Sequence, residues 1–483
     1  MTRPTRLVLA IAAHDWRALW REGLVVSLGL VLILATTGAG VAGVFRVADA
    51  RADHDETTRR VAQSREEVVA AAETGEGGAR DLPSWGVRHP DFVANDRGTW
   101  TPLTPAPLLA LAVGQTDTYP PAYKVTAARR DGALTGAALA NPLSLAVGAF
   151  DMVFVLVFLL PVVMAAVTFD LVTAERERGT LALLLAQGVP PAAVLFGKLA
   201  PRAALVVAPA IGVPILIHLI ADGEPHLARL ALWVAVTLAY ATFWLGCAAL
   251  VGVRARSSVR AALTLGGLWV ALAIVVPAAL NLLVTSMALT PSGVRLADAT
   301  RAATRDALSD GSRVLGHFLE DHPTASAVGR DGLRQYALLQ AARDQEVERR
   351  LRPLLDEWAA ALERQRVVTW WLQLLAPPVS ASSAFSDAAG TADGRHRHAR
   401  AQVERFRDEW QRHFAPLVIE AAPLEAAAAR AMPRFHHDEE PARAAAGRVA
   451  VPALSMLVAG IGLLWTAARV MARAPVIEER TTP

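Results

Sequence analysis

Cys247 is the single cysteine in a chain of 483 residues. No disulfide can form within the chain, so its loops must be held by packing alone. Lysine is nearly absent too: Lys124 and Lys198 are the only ones, and arginine carries the rest of the positive charge. The balance of 48 basic and 45 acidic residues leaves a net charge of +3, without the basic stripe of a nucleic-acid binder, and nucleic acid is excluded as a partner. There is no phosphate-cradling loop. Gly197-Lys198 is followed by Leu199 where Ser or Thr is needed, and Ala192 stands where the first glycine would be. H-E-x-x-H and G-x-S-x-G are missing as well. With no nucleotide site and no hydrolase motif, the chain is not expected to be an enzyme, and nothing in it calls for a cofactor.

What is abundant is apolar sequence. Hydrophobic residues make up 53% of the chain and mean hydropathy is +0.33. That is too apolar for a soluble protein of this length, yet 19% charged residues is too many for a bare membrane bundle. Both hold if the charge is gathered into soluble insertions. The predicted fold is an all-α polytopic membrane protein with six transmembrane helices and two extracytoplasmic insertions, the second mainly helical. The spans are 23–45, 145–168, 193–220, 230–253, 261–287 and 449–468, each long enough for a hydrocarbon core of ~30 Å. The insertions are 46–144 and 288–448.

In the first insertion, 46–73 continues the first span as a charged helix, and 75–145 is an irregular lobe rich in Gly, Pro, Thr and Trp. Pro161 predicts a kink in the second span, and Pro209 and Pro214 a break in the third. In the second insertion, helices are expected over 294–320, 332–375, 395–414 and 421–430, with Trp370-Trp371 and Pro377-Pro378 returning the chain to headgroup level.

Residues 1–22 read as an interfacial amphipathic helix. Arg3, Arg6, His14, Arg17 and Arg21 share one face; Val8, Ile11, Ala12, Trp16 and Leu19 share the other. Trp16, Arg17, Trp20 and Arg21 are its expected contacts with membrane lipid, and Asp15 looks misplaced on the apolar side. Short-loop arginines mark the N-terminus, 169–192, 254–260 and the tail 469–483; the loop 221–229 has only Arg229. The positive-inside rule therefore puts both termini in the cytoplasm and both insertions outside.

Residues 169–202 are the only polar stretch of any length between two spans on the cytoplasmic side. Glu175, Arg176, Glu177 and Arg178 face water, Gly179 loosens the backbone before Thr180, and Leu181, Leu184 and Leu185 press on neighbouring helices. A surface helix and a solvated loop both fit the charges alone. Neither glutamate has a partner fixed by sequence, since adjacent arginines cannot face them on a helix; their partners are expected on another protein.

Elsewhere, Asp151 either lines a path or snorkels to the interface. His396, His398 and the run His436-His437-Asp438-Glu439-Glu440 are either a metal site or a charged, solvated surface. Cys247 reads as a small apolar residue in a span.

The run Glu175-Arg176-Glu177-Arg178-Gly179-Thr180-Leu181, followed by Gly197-Lys198, resembles the signature of type-2 ABC transporter permeases. NPLSLAVG ahead of the second span and AIAAHDWRALWREG before the first appear in the order of that family. RHPDFVANDRGTWTPLTP and LLAPPVSASSAFSDAAGTADGRHRH resemble a subgroup with two large extracytoplasmic insertions. The resemblance implies that 169–192 is a coupling helix docking on a separate ATPase subunit. Glu175, Glu177, Gly179 and Thr180 match its motif, and Arg176 and Arg178 its variable basic positions. It further implies a second permease half, a copy or a paralogue, alternating access with an export bias, and a bacterial cytoplasmic (inner) membrane. A non-transporting scaffold or sensor, whose ectodomain binds a ligand or partner protein, is the alternative. The insertions depart from the compact drug and polysaccharide exporters, so no substrate carries over.

Overall fold

A computed structural model describes residues 3–21, 23–74, 89–127, 150–222, 226–287, 293–323, 332–420 and 423–473. Six of its helices are long and apolar enough to cross a membrane: Val25–Thr74, Met152–Glu177, Pro191–Ala221, Leu227–Arg254, Ser258–Ser286 and Ala442–Arg473. They are spans 1 to 6 below. Leu34, Leu216, Ile220, Leu263, Leu282, Leu454 and Trp465 are exposed along them, an apolar exterior that only a lipid solvent tolerates. The protein is an all-α, multi-pass membrane protein.

Span 1 belongs to a helix, Gly23–Thr74, of 52 residues. At ~1.5 Å per residue it outruns the bilayer by many turns, so its charged second half leaves the membrane as one rod, as the sequence indicates. The third span is not broken. Its helix Pro191–Asp222 holds Pro201, Pro209 and Pro214 inside it, because a membrane helix keeps its remaining backbone bonds where no water competes for them.

Span 4 is the axis of the bundle. Trp233, Tyr240 and Trp244 are fully buried along it. It packs lengthwise on span 6, and the crossing is at two glycines. A Cβ on Gly460 would lie 2.6 Å from the Phe243 nitrogen and the Thr242 carbonyl carbon; one on Gly246 would lie 2.7 Å from the Gly460 carbonyl oxygen. Small residues let the two backbones approach this closely.

Spans 2 and 5 each contain a π-turn, Val155–Leu159 and Ala271–Val275. Each turn ends two residues before a proline, Pro161 and Pro277. Pro161 has no N–H for the Val157 carbonyl. The Tyr240 hydroxyl donates to that oxygen at 2.8 Å, and the Trp269 indole donates to the Phe158 oxygen at 3.1 Å. The kink expected at Pro161 is thus a widened turn held by side chains of spans 4 and 5.

The first long segment between spans differs from expectation in two places. Residues 99–102 and 122–125 pair as an antiparallel ribbon, Thr99 opposite Val125, a small β element in a helical protein. Residues 106–113, expected within an irregular lobe, are buried in the same hydrophobic cluster as the spans. The rest of that lobe, 75–88 and 128–149, lies outside the described residues, as does the start expected for span 2.

The second segment is helical as expected: Gly293–Ser309, Gly311–Asp321, Gly332–Leu372 and Asp393–Ile419. The helix expected over 421–430 is reduced to Ala426–Arg430. Pro377-Pro378, expected with Trp370-Trp371 to return the chain to headgroup level, open a helix, Pro377–Ala389, whose Ala381, Ala384, Phe385 and Ala388 enter the spans' cluster.

Candidate functional site

The segment that joins spans 2 and 3 folds as two short helices, Thr173–Glu177 and Thr180–Ala186, rather than one. Gly179 separates them at φ 74°, and Gly188 ends the second at φ 76°. Both angles lie in the left-handed region that glycine enters without strain. Leu181 and Leu184 pack beneath, with Leu171, Val194, Leu199, Val253 and Ala467, as the leucine stripe predicts.

The charged run is where structure and sequence part. Glu175 accepts from the Lys198 ammonium at 2.5 Å and from the Thr180 hydroxyl. Arg176 donates to the Ala255 oxygen at 2.5 Å and the Val253 oxygen at 3.0 Å. Those carbonyls close span 4, whose last oxygens have no helical donor. Glu177 accepts from the Ser258 backbone N–H at 2.7 Å and its hydroxyl at 3.0 Å. Ser258 opens span 5, where a carboxylate is favoured by the unsatisfied N–H groups.

The expectation that Glu175 and Glu177 wait for another protein is therefore corrected. Both are engaged within the chain, by residues 23 and 81 positions away. What faces outward is Glu177, its carboxylate held by Ser258, with Arg178, Gly179, Thr180, Ala182 and Leu183, the last 60% exposed. Arg254, Arg256 and Arg260 are exposed nearby in sequence to the turn that Arg176 and Glu177 hold.

The N-terminal helix Arg3–Leu19 lies against the start of span 3. A Cβ on Gly197 would meet the Ile11 side chain at 2.8 Å. Asp15 is not misplaced. It is 6% exposed and accepts from Arg202 at 3.2 Å, while Arg202 also donates to Asp170 at 2.5 Å and to the Val167 oxygen at 2.9 Å. One buried guanidinium so joins the N-terminal helix, span 3 and the end of span 2. Nothing in the local pattern marks Arg202; an acid on an apolar helix face was the only signal that a buried base exists. Trp16 and Trp20 are exposed and meet edge to face at 5.9 Å, and Arg17 and Arg21 are exposed beside them.

The remaining candidates are spent on structure. Asp151 neither lines a path nor snorkels: it is buried, caps the start of span 2 by accepting from Phe154 N–H at 2.8 Å, and accepts from Val113 N–H at 2.9 Å. Among the described residues no group of His, Cys, Asp and Glu is arranged to hold a metal. His437 pairs with the Thr104 hydroxyl at 2.7 Å, Glu439 with Arg395 at 2.7 Å and Glu440 with Arg448 at 2.8 Å. His396 stacks on Tyr119 at 3.3 Å. Burial pushes the imidazoles of His396 and His437 down to about 4.

In comparison with known proteins, a family model described as a domain of unknown function (DUF3526) matches residues 294–438. No curated protein and no solved structure matches the chain.

Proposed function

We propose that this chain is the membrane subunit of an ABC transporter, with an export bias, driven by a separate ATPase that docks on the segment between spans 2 and 3. The observation that carries the reading is the wiring of that segment. Glu175 ties it to span 3, Arg176 to the end of span 4, Glu177 to the start of span 5, and Asp170 through Arg202 to the N-terminal helix. A displacement imposed on Gly179–Gly188 would reach four spans and the N-terminal helix through short, charge-assisted contacts. That is what a transmission element needs, and a plain solvated loop has no use for it. The run's resemblance to the permease motif supports the same reading.

In this reading the contact surface centres on the exposed Leu183 as an apolar knob and on Arg178, with Arg254 and Arg256 exposed beside the carbonyls that Arg176 holds. The arginine distribution supports a cytoplasmic location for this face and for both termini, in a bacterial inner membrane. The two long segments then lie outside, and Trp16 and Trp20 sit among lipid headgroups. The reading puts hydrolysis on the partner, in keeping with a sequence that carries no phosphate-binding motif, and calls for a second permease half, a copy or a paralogue.

The test is affinity purification of the full chain from its own membranes in mild detergent. The reading requires a soluble ATPase subunit to co-purify in stoichiometric amount and to lose that association when Leu183 is replaced by Glu. A chain that purifies with no ATPase, at any detergent strength that keeps it folded, overturns the reading in favour of a scaffold or sensor.

A further inference from the structure

At the end of the bundle opposite the 169–191 segment, two stretches from different insertions enter between the spans. Residues 106–113 are buried throughout, and the Ala110 carbonyl lies so close to span 1 that a Cβ on Gly43 would strike it. The Met152 N–H of span 2 donates to the Leu111 oxygen at 3.2 Å. The helix Pro377–Ala389 sets Phe385 against Trp233 of span 4, ring centroids 4.6 Å apart and tilted by 49°, and packs along span 6. It also touches both π-turns, in spans 2 and 5. The two stretches join each other: Leu108 N–H donates to the Ala389 oxygen at 3.0 Å, and Gln115 N–H to the Thr391 oxygen at 2.8 Å.

Two arginines on spans hold this assembly in place. Arg448 at the head of span 6 donates to Asp387 at 2.6 Å and to Glu440 at 2.9 and 2.8 Å. Arg229 at the head of span 4 donates to the Glu440 oxygen at 2.8 Å and to the Asp387 and Ala388 oxygens at 3.3 and 3.4 Å. Two cations on spans thus grip the last turn of a helix that is not a span.

We propose that 106–113 and 377–389 form one two-part plug, latched by the Asp387 carboxylate onto Arg448 and by the Asp387 and Ala388 carbonyls onto Arg229, that withdraws as a unit from the end of the bundle. Its composition suits withdrawal. Thirteen residues make about 20 Å of helix, too short to cross a bilayer, and PPVSASSAFSDAA offers little apolar area beyond Phe385. Small side chains gain little from burial, since hydrophobic transfer scales with area. The π-turns give spans 2 and 5 a non-α turn at the points the helix touches, and such turns bend more readily than a regular helix. Residues 294–438 run into and past the helix, so that segment is positioned to pull it. Under the transporter reading the plug is the barrier to be cleared on the far side, but it is a property of the bundle and its test needs neither ATPase nor cargo.

The test is hydrogen–deuterium exchange of the full chain in detergent, comparing the unmodified protein with Asp387→Asn. The expected result is that peptides covering 106–113 and 377–389 exchange about tenfold faster together, while span 4 peptides over 233–247 are unchanged. Three outcomes overturn the proposal: no change in either stretch, a change in only one of them, or span 4 loosening along with them. If Asp387→Asn yields no folded chain, Arg448→Lys keeps the charge, removes the paired hydrogen bonds and is read the same way. Failure of both variants to fold means the stretches are fixed parts of the core, and that also overturns it.

Discussion

The Tyr240 hydroxyl supplies the Val157 carbonyl with the donor that Pro161 removes, at 2.8 Å across two spans. A widened turn in span 2 is thereby tied to the axis helix. In Tyr240→Phe a buried carbonyl loses that donor, which costs about 1 kcal/mol where a neutral hydrogen bond is lost. The thermal midpoint of the detergent-solubilised chain should fall by a few degrees, and exchange should rise at 155–162. An unchanged midpoint would mean that water or a neighbouring N–H takes the hydroxyl's place.

Arg202 is buried with Asp15 and also pairs with the half-buried Asp170. Arg202→Met leaves two carboxylates facing each other with no cation, and breaking a buried pair in this way costs about 3–5 kcal/mol. Adding Asp15→Asn and Asp170→Asn to the same variant removes the uncompensated charge and should recover more than half of the loss. Limited proteolysis of the N-terminal helix in the three proteins reads this directly.

Gly460 meets backbone, not side chain, on span 4. Backbone cannot rotate away, so Gly460→Ala should separate spans 4 and 6 and cost about 1–3 kcal/mol as overpacking. Gly462, one turn-fraction along and with nothing within 4 Å, should accept alanine without effect. The pair of variants, compared by thermal unfolding in detergent, distinguishes close packing from a general intolerance of span 6.

His396 and His437 are neutral in the fold because burial lowers their pKa to about 4 from the ordinary value near 6.5. The unfolded chain binds protons on both in the window between. Stability contributed by the neutral rings is therefore present above about pH 6.5 and is lost as pH falls towards about 4. Exchange at 99–125 and 393–403 should rise across that window, and His396→Phe, which keeps the stack on Tyr119, should flatten the response. A flat profile in the unmodified protein would contradict it.

Much of this fold was legible because a lipid solvent imposes a simple pattern. Apolar runs of about twenty residues mark the spans, and all six are helices long and apolar enough to cross a membrane. Leu181 and Leu184 point inward as their spacing implies. What stayed hidden were partners brought together only by the fold. Asp15 was visible as an anomaly, but Arg202 lies 187 positions away. Glu177 seemed free because its partner is a backbone N–H at the head of span 5, which no residue type announces. Residues 377–389 carry serines and an aspartate, so their hydropathy does not mark a helix that enters the bundle; neighbouring spans and two arginines, not composition, put it there.

The measurement that tests the central claim most directly is capture of the proposed ATPase by the full chain carrying substitutions on the two faces of the 169–191 segment. Leu183→Glu combined with Arg178→Glu alters only the outward face, and the account predicts a folded chain that captures less than about a tenth of the ATPase, as expected for the loss of an apolar anchor and a charge together. Glu175→Gln alters only the inward face. It should leave initial capture within about twofold, since its contacts to Lys198 and Thr180 are internal, while lowering the thermal midpoint. Full capture by the outward-face variant, with loss of capture in a stably folded Glu175→Gln chain, would contradict the account.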